Sequence, residues 1–164
     1  MMQGKDVKAW TSMIGGLADH GHAEDALELF SLMQRSGARP DGVTFVGVLC
    51  ACSHAGLVEL GLHYFHSMMK DHNIVPRIEH YVCMIDLFGR AGRVKESLEF
   101  IYSMDVQANA VVWRVLLSTC RLNLDVELAE AKEMHIRIIE NAWYWNDLID
   151  ATVILLKIIV KEIQ

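Results

Sequence analysis

A register runs through this chain and restricts its fold more than any other feature. Trp10, Phe45, Tyr81 and Trp113 follow one another at spacings of 35, 36 and 32 residues. Eleven residues after each of the first three stands a glycine: Gly21, Gly56 or Gly92. Five residues later comes a small residue, Ala26, Gly61 or Ser97, followed at once by Leu27, Leu62 or Leu98. Seven beyond the small residue stands Met33, Met68 or Met104. The fourth unit fades, with Leu124 in the glycine's place, then Ala129 and Ile136. Self-similarity at a period in the thirties marks an array of supersecondary units.

The landmarks dictate the form of one unit. From aromatic to glycine is about three helical turns. In the second unit Phe45, Val48, Leu49 and Cys52 take i, i+3, i+4, i+7 spacing, one face of a helix. The glycine suits a helix C-terminus, where the backbone turns left-handed. A second helix then runs through "AEDALELFSLM", "LVELGLHYFHSM" or "RVKESLEFIYSM", its small residue admitting a close neighbour. "GARPD" and "NIVPR" close the first two units, because proline stops a helix and biases its predecessor to extended geometry. One hairpin cannot bury its own apolar face, so the units stack. The expected fold class is all-α, an α-solenoid of helical hairpins.

Composition narrows the function. The net charge of −6, from 15 Lys+Arg against 21 Asp+Glu, gives no broad basic surface for phosphates. Cys50, Cys52, Cys83 and Cys120 show no secretory context: "MMQGKDVKAW" has neither a signal-peptide pattern nor an Arg- and Ser-rich transit sequence. Reduced intracellular thiols are expected. Cys50, Cys52 and His54 lie two residues apart on a helix, so successive side chains diverge by about 200° and the three are not expected to converge on a metal. Cys52 shares its slot with Leu17, Phe88 and Cys120, a core position; His54 shares its slot with Asp19 and Arg90 near a helix end. No metal or other cofactor is expected.

Read as whole units, "DVKAWTSMIGGLADHGHAEDALELFSLMQRSGARPD", "VTFVGVLCACSHAGLVELGLHYFHSMMKDHNIVPR" and "IEHYVCMIDLFGRAGRVKESLEFIYSM" resemble the pentatricopeptide repeats (PPR) of plant proteins. They resemble in turn a standard, a long and a short repeat of the PLS subclass. "AVVWRVLLSTCRLNLDVELAEAKEMHIRIIE" resembles the E motif that follows such arrays. The expected units are 6–41, 42–77, 78–109 and a degenerate E-motif hairpin over 110–143.

The resemblance implies single-stranded RNA recognition in an organelle, mitochondrion or chloroplast, about one base per repeat, and service in C-to-U editing. It implies that a base is read by the residue after the first-helix aromatic and the last residue of the unit. Those pairs are Thr11 with Asp41, Val46 with Arg77, and Val82 with Asn109. The family associates the first pairing with guanine, whereas a valine has nothing to read an edge with. Lys8 and Val43 fall in the slot that sandwiches the base, where Lys8 departs from the usual aliphatic residue. Arg77, Arg90, Arg93, Lys95 and Arg114 are phosphate-contact candidates, although a solvated face is the simpler expectation.

Some members of the family end in a cytidine deaminase, whose zinc needs H-x-E and C-x-x-C. "HAE" (His22 to Glu24) matches the first pattern by accident, and no C-x-x-C follows. "GRAGR" reads as the repeat turn and not as a phosphate cradle. The expectation is a non-catalytic adaptor, with a deaminase or another editing protein acting in trans.

The last segment, "NAWYWNDLIDATVILLKIIVKEIQ", departs from the family. Leu148 to Val160 is too short to span a membrane, and Asp150 and Lys157 interrupt it. A capping helix over 144–164 is expected; a surface for self-association or a partner, or a truncated gene end, stays open. Two rival functions also stay open: a protein-interaction scaffold without RNA binding, and the remnant of a longer editing factor.

Overall fold

A computed structural model describes residues 7–122. Asp6, the landmarks Leu124, Ala129 and Ile136, and the segment 144–164 therefore lie outside the described residues, with most of the E-motif resemblance. Seven helices and no strand occur among the described residues: α1 (Val7–Asp19), α2 (Ala23–Arg35), α3 (Gly42–Ala55), α4 (Val58–Lys70), α5 (Ile78–Arg90), α6 (Val94–Tyr102) and α7 (Ala110–Leu122). None is long and apolar enough to cross a membrane. The chain divides into two compact units, Met1–Leu87 and Phe88–Gln164, the division falling within α5.

In the first unit α1 pairs with α2 and α3 with α4, and α3 also packs against α1 and α2. Gly21 and Gly56 take φ +79° and +67°, the left-handed turn that the register requires. Phe45, Val48, Leu49 and Cys52 are fully buried, as the helical spacing predicts. Ala26, Phe30 and Met33 of α2 are equally enclosed. An aromatic chain crosses this core: Phe30 packs edge-on against Phe45 (5.5 Å) and Tyr64 (5.4 Å), and Phe45 against His72 (5.2 Å). Ser53 of α3 donates to Asp86 of α5 at 2.6 Å, and Phe65 of α4 packs on Tyr81 of α5 at 5.5 Å.

The small residue at Gly61 has a wider role than closing its own hairpin. A Cβ there would lie 3.5 Å from Cys52 Cβ of α3, but it would collide outright with Leu87 of α5. Gly47 serves a similar close approach, since its Cβ would stand 3.2 Å from Gly15 N on α1. Gly16 is different. Nothing lies within 4 Å of the Cβ it lacks, and it sits mid-helix on an exposed face. Gly16→Ala is therefore expected to stabilise the protein by about 0.5–1 kcal/mol, the ordinary helical advantage of alanine, read as a raised urea midpoint.

In the second unit, Val94, Ser97, Leu98 and Ile101 of α6 and Val112, Trp113 and Leu116 of α7 are buried. Gly92 takes φ +74° at the turn into α6. Phe88 packs on Phe100 at 5.5 Å, and a Cβ on Gly89 would collide with Thr119 of α7.

Candidate functional site

The first candidate pair lies at the N-terminal ends of α1 and α3. Thr11 sits on α1 just after Trp10 and is half-buried. Asp41 ends the loop after Pro40 and caps α3 in extended backbone, φ −109° and ψ −179°. Its Oδ1 accepts from Thr44 N at 2.9 Å and from Thr44 Oγ1 at 2.9 Å, while Asp41 N donates to Thr44 Oγ1 at 3.2 Å. This is a capping box, with threonine at the third helical position. Thr44 Oγ1 also lies 2.7 Å from Thr11 Oγ1, so one buried hydroxyl joins the two sequence-predicted residues.

Proton counting fixes the direction of these bonds. Asp41 as a carboxylate only accepts, so the single Thr44 hydroxyl proton goes to Oδ1. Thr11 must then be the donor to Thr44, which leaves the lone pairs of its Oγ1 as what it can offer a ligand. Asp41 Oδ2 has no partner among the described residues. The site thus presents two acceptors and no donor. Lys8, one turn before Thr11, and Val43, one residue before Thr44, are both exposed.

The second pair is built differently. Arg77 immediately precedes α5, where its side chain cannot accept from helix N–H groups. His80 Nδ1 accepts from Arg77 N at 2.9 Å, and its Nε2 donates to Gly42 O at 2.8 Å. The buried His80 therefore fills the place that Thr44 fills one repeat earlier. The exposed Arg77 guanidinium rests against Gly42 on the first turn of α3, 3.1 Å from where a Cβ would stand. Val46 is half-buried and carries no polar side-chain atom.

Of the third pair, Val82 is half-buried in α5 of the first unit. Asn109 belongs to the second unit and caps α7, its Oδ1 accepting from Val111 N (3.0 Å) and Val112 N (3.2 Å). Asp41, Arg77 and Asn109 thus all stand just ahead of the next first helix, and two of the three cap it. Sequence reasoning missed Thr44 and His80. The Asp-x-x-Thr spacing was a readable capping signal, but the bonds back to α1 and α3 link residues 33 and 38 apart.

Among the phosphate-contact candidates Arg93 is committed elsewhere. It pairs with Glu96, holding that carboxyl below its usual value, and stacks 5.8 Å from the Phe88 ring centre. Arg90, Lys95 and Arg114 are exposed.

The cysteines depart in one respect from the sequence expectation. Cys52 does point into the core, and burial pushes its thiol up to about 12. Cys50 and His54, however, are four residues apart and share a helix face, with Sγ 3.9 Å from Nε2. Divergence holds for neighbours two apart, not for this pair. Among the described residues no three His, Cys, Asp or Glu side chains are arranged to hold a metal ion.

Hairpins stacked within the first unit, with first helices in a common register, define the class of a helical-repeat protein. A PPR repeat family model matches residues 5–54, and a PPR repeat model matches 43–72 and 79–106, together more than half of the chain. The chain belongs to the PPR repeat family. It is 48% identical over 126 residues to pentatricopeptide repeat-containing protein At3g29230 of Arabidopsis thaliana, covering 77% of this chain and 21% of that protein. It is 52% identical over 124 residues to the Arabidopsis protein At5g19020, named mitochondrial, covering 76% and 18%. The crystal structure of PPR10 in complex with an 18-nt psaJ RNA element superposes with a TM-score of 0.75 at 20% identity, covering 90% of this chain and 22% of that one. That likeness shows the fold. The chain spans about a fifth of the length of these relatives.

Proposed function

We propose that this chain is part of a PLS-type PPR array, with units over 6–41, 42–77 and 78–109 and a partial E motif over 110–143, and that it reads single-stranded RNA. The observation that carries the reading is the Thr11–Thr44–Asp41 network. Two protein acceptors linked through one hydroxyl match two adjacent donors on a ligand. Guanine alone among the four bases presents them, at N1–H and N2–H₂, whereas adenine sets its N1 lone pair against an acceptor. The first unit reads guanine. Val46 and Arg77 supply an apolar surface and a cation, Val82 another apolar surface and Asn109 an amide nitrogen, a weaker basis for choosing a base. Lys8 and Val43 flank the base.

The role is that of a non-catalytic adaptor in organellar transcript processing, C-to-U editing foremost, with a deaminase recruited in trans. The RNA held by PPR10 supports the RNA-binding part of this role, and the mitochondrial naming of relatives supports its organellar setting. A second reading, a protein-interaction scaffold, is favoured by the net charge of −6. Fluorescence anisotropy with short single-stranded RNAs separates the two. Saturable binding at low salt that weakens at physiological salt is expected from a few phosphate contacts. No binding even at low salt would leave the scaffold.

A further inference from the structure

At the far end of α1 and α3 from the Thr44 network, a second cluster joins the same two helices. Cys50 is half-buried, and its Sγ lies 3.8 Å from Asp19 Oδ1 on α1 and 3.9 Å from His54 Nε2 on α3. His54 Nδ1 stands 2.8 Å from Ala18 O. A carbonyl only accepts, so Nδ1 carries the ring proton and Nε2 turns its lone pair to the thiol. A nucleophile, a base and a group orienting that base are thereby in place. The repeat explains the juxtaposition: Asp19 and His54 occupy one slot in successive units, and Cys50 lies a turn before His54.

The other cysteines with described side chains are set up for inertness. Cys52 is wholly buried with its thiol pushed up to about 12. Cys83 is likewise pushed up to about 12, by burial first and then by the charges of Cys50, Asp86 and Asp19. Both stay protonated near neutral pH, and a protonated thiol is a poor nucleophile.

We propose that Cys50 is a modification site, a thiol activated by His54 and oxidised by hydroperoxides. His54 Nε2 takes the thiol proton, and Sγ attacks one peroxide oxygen. An S–O bond forms with the terminal peroxide oxygen, the O–O bond breaks, and the leaving alkoxide, or hydroxide from hydrogen peroxide, takes the proton from His54 as an alcohol or as water. Sulfur loses the two electrons that the peroxide gains, leaving a sulfenic acid. Asp19 works against the step at rest, because its carboxylate accepts the thiol proton and repels a thiolate. The product sits in the seam between α1 and α3, beside the His54–Ala18 bond that crosses it.

The test treats the full chain with hydrogen peroxide and dimedone at neutral pH and maps the labelled cysteines by mass spectrometry. Cys50 is expected to label about tenfold or more faster than Cys52 or Cys83. His54→Gln, which retains a donor for Ala18 O but no base, should slow Cys50 several-fold. Asp19→Asn should speed it. Circular dichroism checks that both variants are folded. Equal labelling of the three cysteines would overturn the proposal. An unchanged rate in folded His54→Gln would overturn it too, since exposure alone would then explain the labelling. Slowing in Asp19→Asn would contradict the assigned role of the carboxylate.

Discussion

Phe45→Ala is expected to lower the stability of the protein by about 3–5 kcal/mol, the range for emptying a large aromatic site in a packed core. Phe45 is fully buried and is the register residue of α3. It meets Phe30 of α2 edge-on and His72 beyond α4, so its ring ties one hairpin to the next. The loss combines apolar area returned to water, two edge-to-face contacts and a cavity that rigid helices cannot close. Against a total of about 5–15 kcal/mol for an ordinary domain, this is a large fraction. Urea denaturation followed by circular dichroism measures it, with Phe45→Leu as the smaller step. A cost under 1 kcal/mol would mean that the hairpins do not share a core at this residue.

Gly89→Ala is the second large effect, and its sign opposes that of Gly16→Ala. On helix propensity alone each change gains up to about 1 kcal/mol. At Gly89 the new Cβ would collide with the Cβ, Cγ2 and Oγ1 of Thr119. Thr119 cannot step aside: it is buried, β-branched, and donates to Leu116 O at 2.7 Å. Moving α7 away from α5 would open the packing around Leu116 and Trp113 instead. Overpacking of this kind costs about 1–3 kcal/mol or more, so a net loss is expected. Thr119→Gly in the same chain should recover part of it. A Gly89→Ala protein more stable than the wild type would disprove the close approach.

The fold was legible because the register is periodic and packing obeys it. Gly21, Gly56 and Gly92 all take left-handed backbone, and Phe45, Val48, Leu49 and Cys52 all lie in the core. The site was legible only in part. Thr11 and Asp41 were reached through family resemblance, but Thr44, which joins them, was not. Its bond to Thr11 spans 33 residues, and only the folded hairpins bring those hydroxyls together. His80 was missed for the same reason, its bond to Gly42 spanning 38 residues. For Cys50 and His54 the signal was present as i, i+4 spacing, and reading the stretch in steps of two concealed it.

On the proposed reading, Thr44 is the residue on which discrimination of guanine depends. Thr44→Val keeps the shape and removes the hydroxyl that directs Thr11 and holds Asp41. The decisive measurement is anisotropy of wild type and Thr44→Val with two short RNAs that differ by guanine or adenine at one position. The wild type should prefer guanine by about tenfold, about 1.4 kcal/mol, and the folded variant should bind both RNAs nearly alike. A guanine preference that survives Thr44→Val, or a wild type with no preference, would contradict the assignment.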